Sequence, residues 1–179
     1  MTCDLSIIVP VHNEVGNVRP LWEQLCEALS ALDRSAEILF VDDGSTDGTA
    51  AALQAIQSED PRVVVVTLRK NFGQTAGLAA GFDHCRGDVI VTMDGDLQHV
   101  PSDLPRLLEQ IDAGFDIASG WRKDRQSVDS PIRTLPSRVA NWLARKVSGV
   151  QLHDFGTTYK AYKRDVVDSA EITHRHVVP

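Results

Sequence analysis

The sequence predicts an α/β fold with a mostly parallel sheet that is covered by helices on both faces. The prediction rests on the alternation of short β-rich runs with segments of helical periodicity over the first 120 residues. The chain has 179 residues, of which 42% are hydrophobic and 24% charged. This composition fits one globular domain with a full core, and it excludes the disordered, collagen-like and coiled-coil classes.

Each element is predicted from its own pattern. Apolar residues recur at intervals of three and four after the first strand, which indicates a helix. Short oxygen side chains at residues 45–47 can cap the helix that follows them. The predicted strands are Leu5–Val11, Glu37–Val41, Val63–Leu68, Asp88–Met93 and Asp116–Ser119. The predicted helices are Val18–Leu32, Asp47–Ser58, Gln74–Cys85 and Ser102–Ala113.

The alternation ends after Gly120. The segment up to Thr134 is polar and basic without any period, so we expect a loop there. An amphipathic helix is predicted over Leu135–Val147, and Thr157–Tyr162 is a candidate late strand.

Charge is distributed unevenly along the chain. The net charge of −7, from 18 basic and 25 acidic residues, argues against nucleic-acid binding. Trp121–Val150 nevertheless carries seven basic and two acidic residues, a local charge of +5. This segment suits an anionic membrane surface or a lipid phosphate, and the alternative is a solvated loop followed by a core-packing helix.

The sequence predicts a cytoplasmic protein. Its apolar runs are shorter than the roughly 20 residues of a membrane span, and its first residues do not resemble a signal peptide. Cys3, Cys26 and Cys85 are odd in number and far apart, so we expect them to be reduced and buried.

The chemistry is expected beyond the carboxyl ends of the strands, where open parallel sheets bind ligands. Polar clusters follow strands one, two and four, at residues 12–14, 42–48 and 94–99. Asp94 and Asp96 lie two residues apart directly after a strand, and Gln98 adds an amide oxygen. Such oxygen ligands suit Mg²⁺ or Mn²⁺. A lone Asp-Gly-Asp would rather indicate a capped surface turn, but its place after a strand favours the metal site.

The second cluster, Asp42–Gly48, allows two interpretations. It can be an Asx-rich turn that begins a helix, or it can present a carboxylate to a base imide or a ribose hydroxyl. The glycine patterns of dinucleotide folds and P-loop NTPases are absent from the sequence. We therefore expect a diphosphate to be held by a metal and by arginine.

Several motifs together resemble family 2 glycosyltransferases of GT-A fold. The motifs are V-P-V-H-N-E (Val9–Glu14), V-D-D-G-S-T-D-G-T (Val41–Thr49), R-K-N-F-G-Q-T-A-G-L-A-A-G (Arg69–Gly81), D-G-D-L-Q-H (Asp94–His99) and G-W-R (Gly120–Arg122). Two further segments, Arg133–Asn141 and His153–Arg164, resemble the polyprenyl-phosphate sugar transferases, the group of dolichol-phosphate mannose synthase and bacterial undecaprenyl-phosphate glucosyltransferases.

The resemblance implies a role for each matching residue. Residues around the nucleotide sugar would be Pro10, His12, Glu14, Val41, Asp43, Asp94 and Gly95. The metal ligands would be Asp94, Asp96 and Gln98, and the residues that meet phosphates would be Arg122, Arg133 and Ser137. The residues expected to act in catalysis are Asp96, Arg122, Arg133 and Asp154. Asp154 is a candidate base and equally a candidate turn residue. Relatives often have tyrosine in place of His12 and alanine in place of Gly95.

The resemblance implies a metal-dependent, inverting transfer of a hexose from a UDP- or GDP-linked sugar to a polyprenyl phosphate at the cytoplasmic face of a membrane. It implies one GT-A domain, with a Rossmann-like half that binds the nucleotide sugar (1–99) and a half that binds the acceptor (100–179). The acceptor half is expected to be truncated, because relatives continue into amphipathic or membrane helices. Two alternatives stay open: a soluble family 2 transferase acting on a polysaccharide or small hydroxyl acceptor, and an inactive nucleotide-sugar-binding domain.

Overall fold

The computed structural model of the chain describes residues 3–120 and 157–169. The strands are β1 (Cys3–Val11), β2 (Ala36–Asp42), β3 (Val63–Thr67), β4 (Gly87–Thr92), β5 (Ile117–Ser119) and β6 (Lys160–Lys163). The helices are α1 (Val18–Ser30), α2 (Thr49–Glu59), α3 (Gln74–His84), α4 (Leu104–Asp112) and α5 (Arg164–Ser169), and a 3₁₀ turn (Pro101–Asp103) precedes α4. Every strand and helix predicted between Leu5 and Ser119 is present. The helix predicted at Leu135–Val147 and the loop before it lie outside the described residues.

Two helices begin later than predicted. Helix α2 begins at Thr49 rather than Asp47, because Gly48 has a φ of 99° and leaves the helical region. Asp47 instead accepts hydrogen bonds from the backbone N–H (3.0 Å) and the hydroxyl (2.6 Å) of Thr49. Before α4, the Leu104 N–H donates a hydrogen bond to the Pro101 carbonyl. Pro105 has no N–H and therefore cannot donate an α-helical hydrogen bond to the same carbonyl. The first turn is therefore 3₁₀.

The six strands form one sheet in the order β3-β2-β1-β4-β6-β5. Strands β1 to β4 run parallel, whereas β6 pairs antiparallel with both β4 and β5. The mostly parallel sheet is therefore confirmed, and the late strand is inserted between β4 and β5. It begins at Lys160, three residues later than expected. The strand order reverses between β1 and β4, which is where open α/β sheets form their ligand crevice.

Helices cover both faces of the sheet, as predicted. Alternate residues of β1 point to opposite faces, so Ile7 belongs to the core under α1 and α4 while Ile8 belongs to the core under α3. Helix α3 lies close on β1, since a Cβ added to Gly81 would be 2.3 Å from Cγ2 of Ile8 and one added to Gly77 would be 3.0 Å from Cβ of Pro10. This close packing brings the first residue of α3 to the carboxyl edge of the sheet.

A buried polar cluster joins β1, β2 and β4 at the opposite, amino-terminal edge. Glu37 is 3% exposed and accepts hydrogen bonds from the Ser6 hydroxyl (2.6 Å), the Arg86 backbone N–H (2.6 Å) and the Arg86 guanidinium. The Ser6 hydroxyl oxygen in turn accepts the Gly87 N–H at 2.7 Å. Burial opposes ionisation of Glu37, but these hydrogen bonds outweigh it and lower the pKa of its carboxyl.

All three cysteines are free, as predicted, but only Cys85 is buried; Cys3 and Cys26 are half-buried. No helix within residues 3–120 and 157–169 is both long enough and apolar enough to cross a membrane.

Candidate functional site

Three polar loops meet at the carboxyl edge of the sheet because β2, β1 and β4 are parallel neighbours. The loop after β1 contains His12 and Glu14, the loop after β2 contains Asp43, and the loop after β4 contains Asp94 and Asp96. The structure thus brings together the three clusters singled out in the sequence.

A hydrogen-bond network joins the loops after β1 and β2. Asn13 has a φ of 57°, and its side-chain oxygen accepts the Thr46 N–H at 2.8 Å. Its amide nitrogen therefore faces Nε2 of His12, 3.2 Å away, while Nδ1 of His12 lies 2.8 Å from the Asp43 carbonyl oxygen. Because a carbonyl only accepts, Nδ1 donates and Nε2 accepts from Asn13. These bonds fix the orientation of the His12 ring at the edge of the site.

Asp43 ties the end of β2 to the loop before α3. The residue is 3% exposed, and its two carboxylate oxygens accept the backbone N–H groups of Phe72 and Gly73, each at 2.8 Å. The two chain segments approach closely at Gly44, which has a φ of 66° and where an added Cβ would be 2.4 Å from the Lys70 carbonyl carbon. The Asp43 carboxylate thus holds the 69–73 loop in place, and each oxygen keeps a second lone pair. Its predicted contact with the nucleoside stays a prediction.

The other residues predicted around the nucleoside differ in exposure. Glu14 is half-buried, and its carboxylate accepts a hydrogen bond from the Asn17 amide at 2.5 Å. Pro10 and Val41 are buried and lie beneath Gly77 of α3. Their side chains therefore belong to the core below the site.

The Asp-Gly-Asp turn begins directly beyond β4. Asp94 has a side chain that is 18% exposed, and its two oxygens contact Gln74 and His99. Asp96 is half-buried, and its Oδ1 accepts the Gln98 backbone N–H at 3.1 Å. Gln98 itself is exposed. The three predicted metal ligands therefore lie within one turn at the edge of the sheet.

Gly95 is required by close packing against β1. An added Cβ would be 2.6 Å from Cγ1 of Val11 and 3.4 Å from the Pro10 carbonyl oxygen. The turn that contains Asp94 and Asp96 therefore packs directly against β1.

The donor set of this turn fits a cation that is shared with phosphate. No group of three or more His, Cys, Asp or Glu side chains positioned for a metal occurs among residues 3–120 and 157–169. Mg²⁺, however, is usually bound by one or two carboxylates while waters and substrate phosphates supply the other oxygens. The carboxylates of Asp94 and Asp96 and the nearby Gln98 amide match that pattern.

Two residues that contact Asp94 are not among the predicted site residues. Gln74 and His99 both contact Asp94, yet Gln74 is 20 positions away in the chain. Both lie within the motifs on which the family resemblance rests, and this membership is the sequence feature that could have pointed to them. The predicted residues Arg122, Arg133, Ser137 and Asp154 lie outside the described residues.

Comparison with protein families identifies the chain. The profile described as "Glycosyl transferase family 2" matches residues 6–170. The chain belongs to this family. Solved glycosyltransferase structures confirm the predicted GT-A fold. A mannosyltransferase from Pyrobaculum calidifontis, in complex with GDP-Man and Mn²⁺, has a TM-score of 0.68 and 22% identity over 94% of this chain and 46% of its own. Glucosyl-3-phosphoglycerate synthase from Mycobacterium tuberculosis, with Mn²⁺, UDP-glucose and glycerol 3-phosphate, has a TM-score of 0.68 and 21% identity over 93% and 59% of the two chains.

Curated relatives of this chain act on polyprenyl phosphates, according to their names. The undecaprenyl-phosphate 4-deoxy-4-formamido-L-arabinose transferase of Pseudomonas fluorescens (strain SBW25) is 42% identical over 92% of this chain and 48% of its own length. The dodecaprenyl-phosphate galacturonate synthase of Rhizobium johnstonii is 39% identical over 94% of this chain and 50% of its own length. The chain spans about half the length of these relatives.

Proposed function

We propose that this family 2 glycosyltransferase moves a hexose or related sugar from a nucleoside diphosphate sugar to a polyprenyl phosphate. The observation that carries the proposal is the 42% identity, over 92% of the chain, with an undecaprenyl-phosphate sugar transferase. The geometry supports it, because the carboxylates that suit a diphosphate-bound cation lie at the reversal point of the sheet.

The donor would bind to the half of the domain formed by residues 1–99. The residues proposed to surround the nucleoside are His12, Glu14 and Asp43 at the edge of the sheet, with the buried Pro10 and Val41 beneath them as its floor. Among them, His12 is held by the Asp43 carbonyl and by Asn13, which orients its ring before any ligand arrives. A ring held in this way is suited to contact a base, because less conformational freedom is lost on binding.

Asp94, Asp96 and Gln98 would hold Mg²⁺ or Mn²⁺ between the protein and the diphosphate. The bound cation would neutralise the charge that develops on the leaving diphosphate. Mn²⁺ is present in the named complexes of two structural neighbours, which supports a divalent ion here. Because Gly95 has no side chain, the turn with both carboxylates can pack close to β1.

The acceptor would be bound by the half formed by residues 100–179, at the cytoplasmic face of a membrane. An oxygen of the lipid phosphate forms the bond to the anomeric carbon, the bond from that carbon to the diphosphate breaks, and the configuration inverts. The second pKa of a phosphate monoester is about 6, so this nucleophile needs no strong base. Arg122, Arg133 and Ser137 are proposed to hold the phosphates, since guanidinium groups bind such oxygens with paired donors.

The test is a calorimetric titration with UDP and with GDP, each in Mn²⁺, Mg²⁺ or EDTA. We expect one nucleotide to bind only with metal, and Asp96→Ala to abolish that binding. Asp88→Ala is the matched control, because Asp88 is an exposed carboxylate at the other end of β4. Binding that is independent of metal, or that survives Asp96→Ala, would contradict the proposed site.

A transfer assay with the preferred donor and undecaprenyl phosphate then tests the acceptor. We expect sugar to appear on the lipid and Asp154→Asn to keep most of the rate. Transfer to a hydroxyl acceptor that Asp154→Asn abolishes would instead support a soluble transferase with Asp154 as its general base. Metal-dependent nucleotide binding without any transfer would support an inactive binding domain.

A further inference from the structure

Both oxygens of the Asp94 carboxylate contact side chains that come from opposite faces of the sheet. Gln74 donates its amide N–H to Oδ1, and Nε2 of His99 lies 3.2 Å from Oδ2. Gln74 begins α3, which packs on one face, whereas His99 lies against Tyr159 of the core on the other face. The carboxylate is therefore fixed in two directions.

His99 is held rigidly in this arrangement. Its side chain is 2% exposed, and its ring centroid is 5.2 Å from that of Tyr159, which is itself 4% exposed. A carboxylate oxygen accepts, so Nε2 of His99 carries the hydrogen of this bond. A buried ring with this contact cannot leave Asp94 without opening the core.

Gln74 is held through the backbone that precedes it. Gly73 has a φ of 93°, and its N–H donates to Oδ2 of Asp43. One turn later, Gly77 allows α3 to lie on Pro10. A continuous series of contacts thus runs from Asp43 after β2, through Gly73 and Gln74, to Asp94 after β4.

A carboxylate offers about four acceptor sites, so hydrogen bonds and a cation can share it. Groups that orient a metal ligand in this way typically change metal affinity by about 10- to 100-fold. We infer that Gln74 and His99 are positioning residues that hold the Asp94 carboxylate in the orientation required by the divalent cation. The inference rests on the proposed function, because it takes Asp94 as a metal ligand.

The test measures the affinity for Mn²⁺ in the presence of the nucleotide that binds, by electron paramagnetic resonance of free Mn²⁺. His99→Phe keeps the ring contact with Tyr159 and removes the donor, and Gln74→Met keeps the length of the side chain and removes the amide. We expect each variant to weaken Mn²⁺ binding by about 10- to 100-fold. His99→Gln retains an amide donor, and we expect it to restore most of the affinity.

The matched controls are His84→Phe and Gln57→Met, which change exposed residues of α3 and α2. We expect them to leave Mn²⁺ affinity unchanged. A purely structural role is distinguished by the melting temperature, which we expect to stay close to that of the control variants in Gln74→Met.

Two results would overturn the inference while leaving the proposed function in place. One is unchanged Mn²⁺ affinity in both His99→Phe and Gln74→Met under conditions in which Asp96→Ala abolishes it. The other is an equal loss of Mn²⁺ affinity in His99→Phe and His99→Gln, because this would show that the N–H donor at position 99 does not determine the affinity. If the unmodified chain binds neither nucleotide with metal, the proposed function itself fails and the inference fails with it.

Discussion

Gly95→Ala is the substitution that most directly tests how the Asp-Gly-Asp turn is built. An added Cβ would lie 2.6 Å from Cγ1 of Val11, well inside van der Waals contact. The φ of Gly95 is outside the left-handed region, so alanine is not excluded by the backbone. The cost is therefore steric, and it depends on the β-branched side chain at position 11.

The magnitude follows from the packing. Overpacking by one methyl group in a close-packed site typically costs about 1–3 kcal/mol. In a protein of this size, 1 kcal/mol changes the melting temperature by about 2–4 °C, so we expect Gly95→Ala to lower it by roughly 2–12 °C. Val11 is 3% exposed, and Val11→Ala removes two methyl groups worth about 0.8 kcal/mol each before any cavity effect.

The double variant separates the clash from other effects. In Val11→Ala with Gly95→Ala, the new methyl group occupies space that Val11 has vacated. We therefore expect it to be no less stable than Val11→Ala alone, which corresponds to a favourable coupling of about 1–3 kcal/mol. The assay is urea denaturation of the four proteins at pH 7, accompanied by Mn²⁺-dependent nucleotide titration. We expect Gly95→Ala to weaken that binding, and the double variant to recover it.

Gly16→Ala is the matched control, because nothing lies within 4 Å of a Cβ added there. We expect a change within about 0.5 kcal/mol. A Gly95→Ala protein as stable as this control would show that Val11 moves aside without cost. Additive losses in the double variant would show that Val11 is not the group that excludes a side chain, and either result would refute the reasoning.

Two further predictions concern the buried carboxylates. The lowered pKa of Glu37 means that its contribution to stability is fully present above its unfolded pKa of about 4.3 and is lost as the pH falls through its lower folded value. We expect Glu37→Gln to cost about 1.5–3 kcal/mol in urea denaturation at pH 7 and clearly less at pH 3, whereas a cost that does not change with pH would contradict this. Asp43→Asn places an amide N–H group opposite a backbone N–H of Phe72 or Gly73, so we expect a loss of about 1.5–3 kcal/mol and faster amide hydrogen exchange at these two positions. Unchanged protection of both amides would show that the Asp43 carboxylate does not hold the loop.

Much of the fold could be predicted because its signals are local. The apolar runs and their helical spacing depend on neighbours within a few residues, so the order of elements from β1 to β5 followed from the sequence. The predictions were less accurate where backbone chemistry decides a boundary. Gly48 delays the start of α2 through its positive φ, and Pro105 delays the start of α4 through its missing N–H.

The candidate site could be predicted only in part. The place of Asp94 and Asp96 at the carboxyl edge could be predicted because they follow a strand, and parallel strands end at a common edge. The environment of Asp94 was not found, since Gln74 reaches it from another element and His99 approaches it from the core side. Likewise, nothing in the order of residues shows that the Asp43 carboxylate accepts two N–H groups from a loop about 30 positions away.

The sequence by itself therefore determined the class of fold, the edge of the sheet that carries the polar clusters, and the family to which the chain belongs. These properties depend on periodicity and on short motifs, which involve only residues that are close together in the sequence. Only the tertiary structure decided which side chains meet: the insertion of β6 beside β4, the close approach of Gly95 to Val11, and the placement of Gln74 and His99 on Asp94. The physical reason is that such contacts depend on the distance of approach between packed elements, which close packing of the core fixes and local sequence does not.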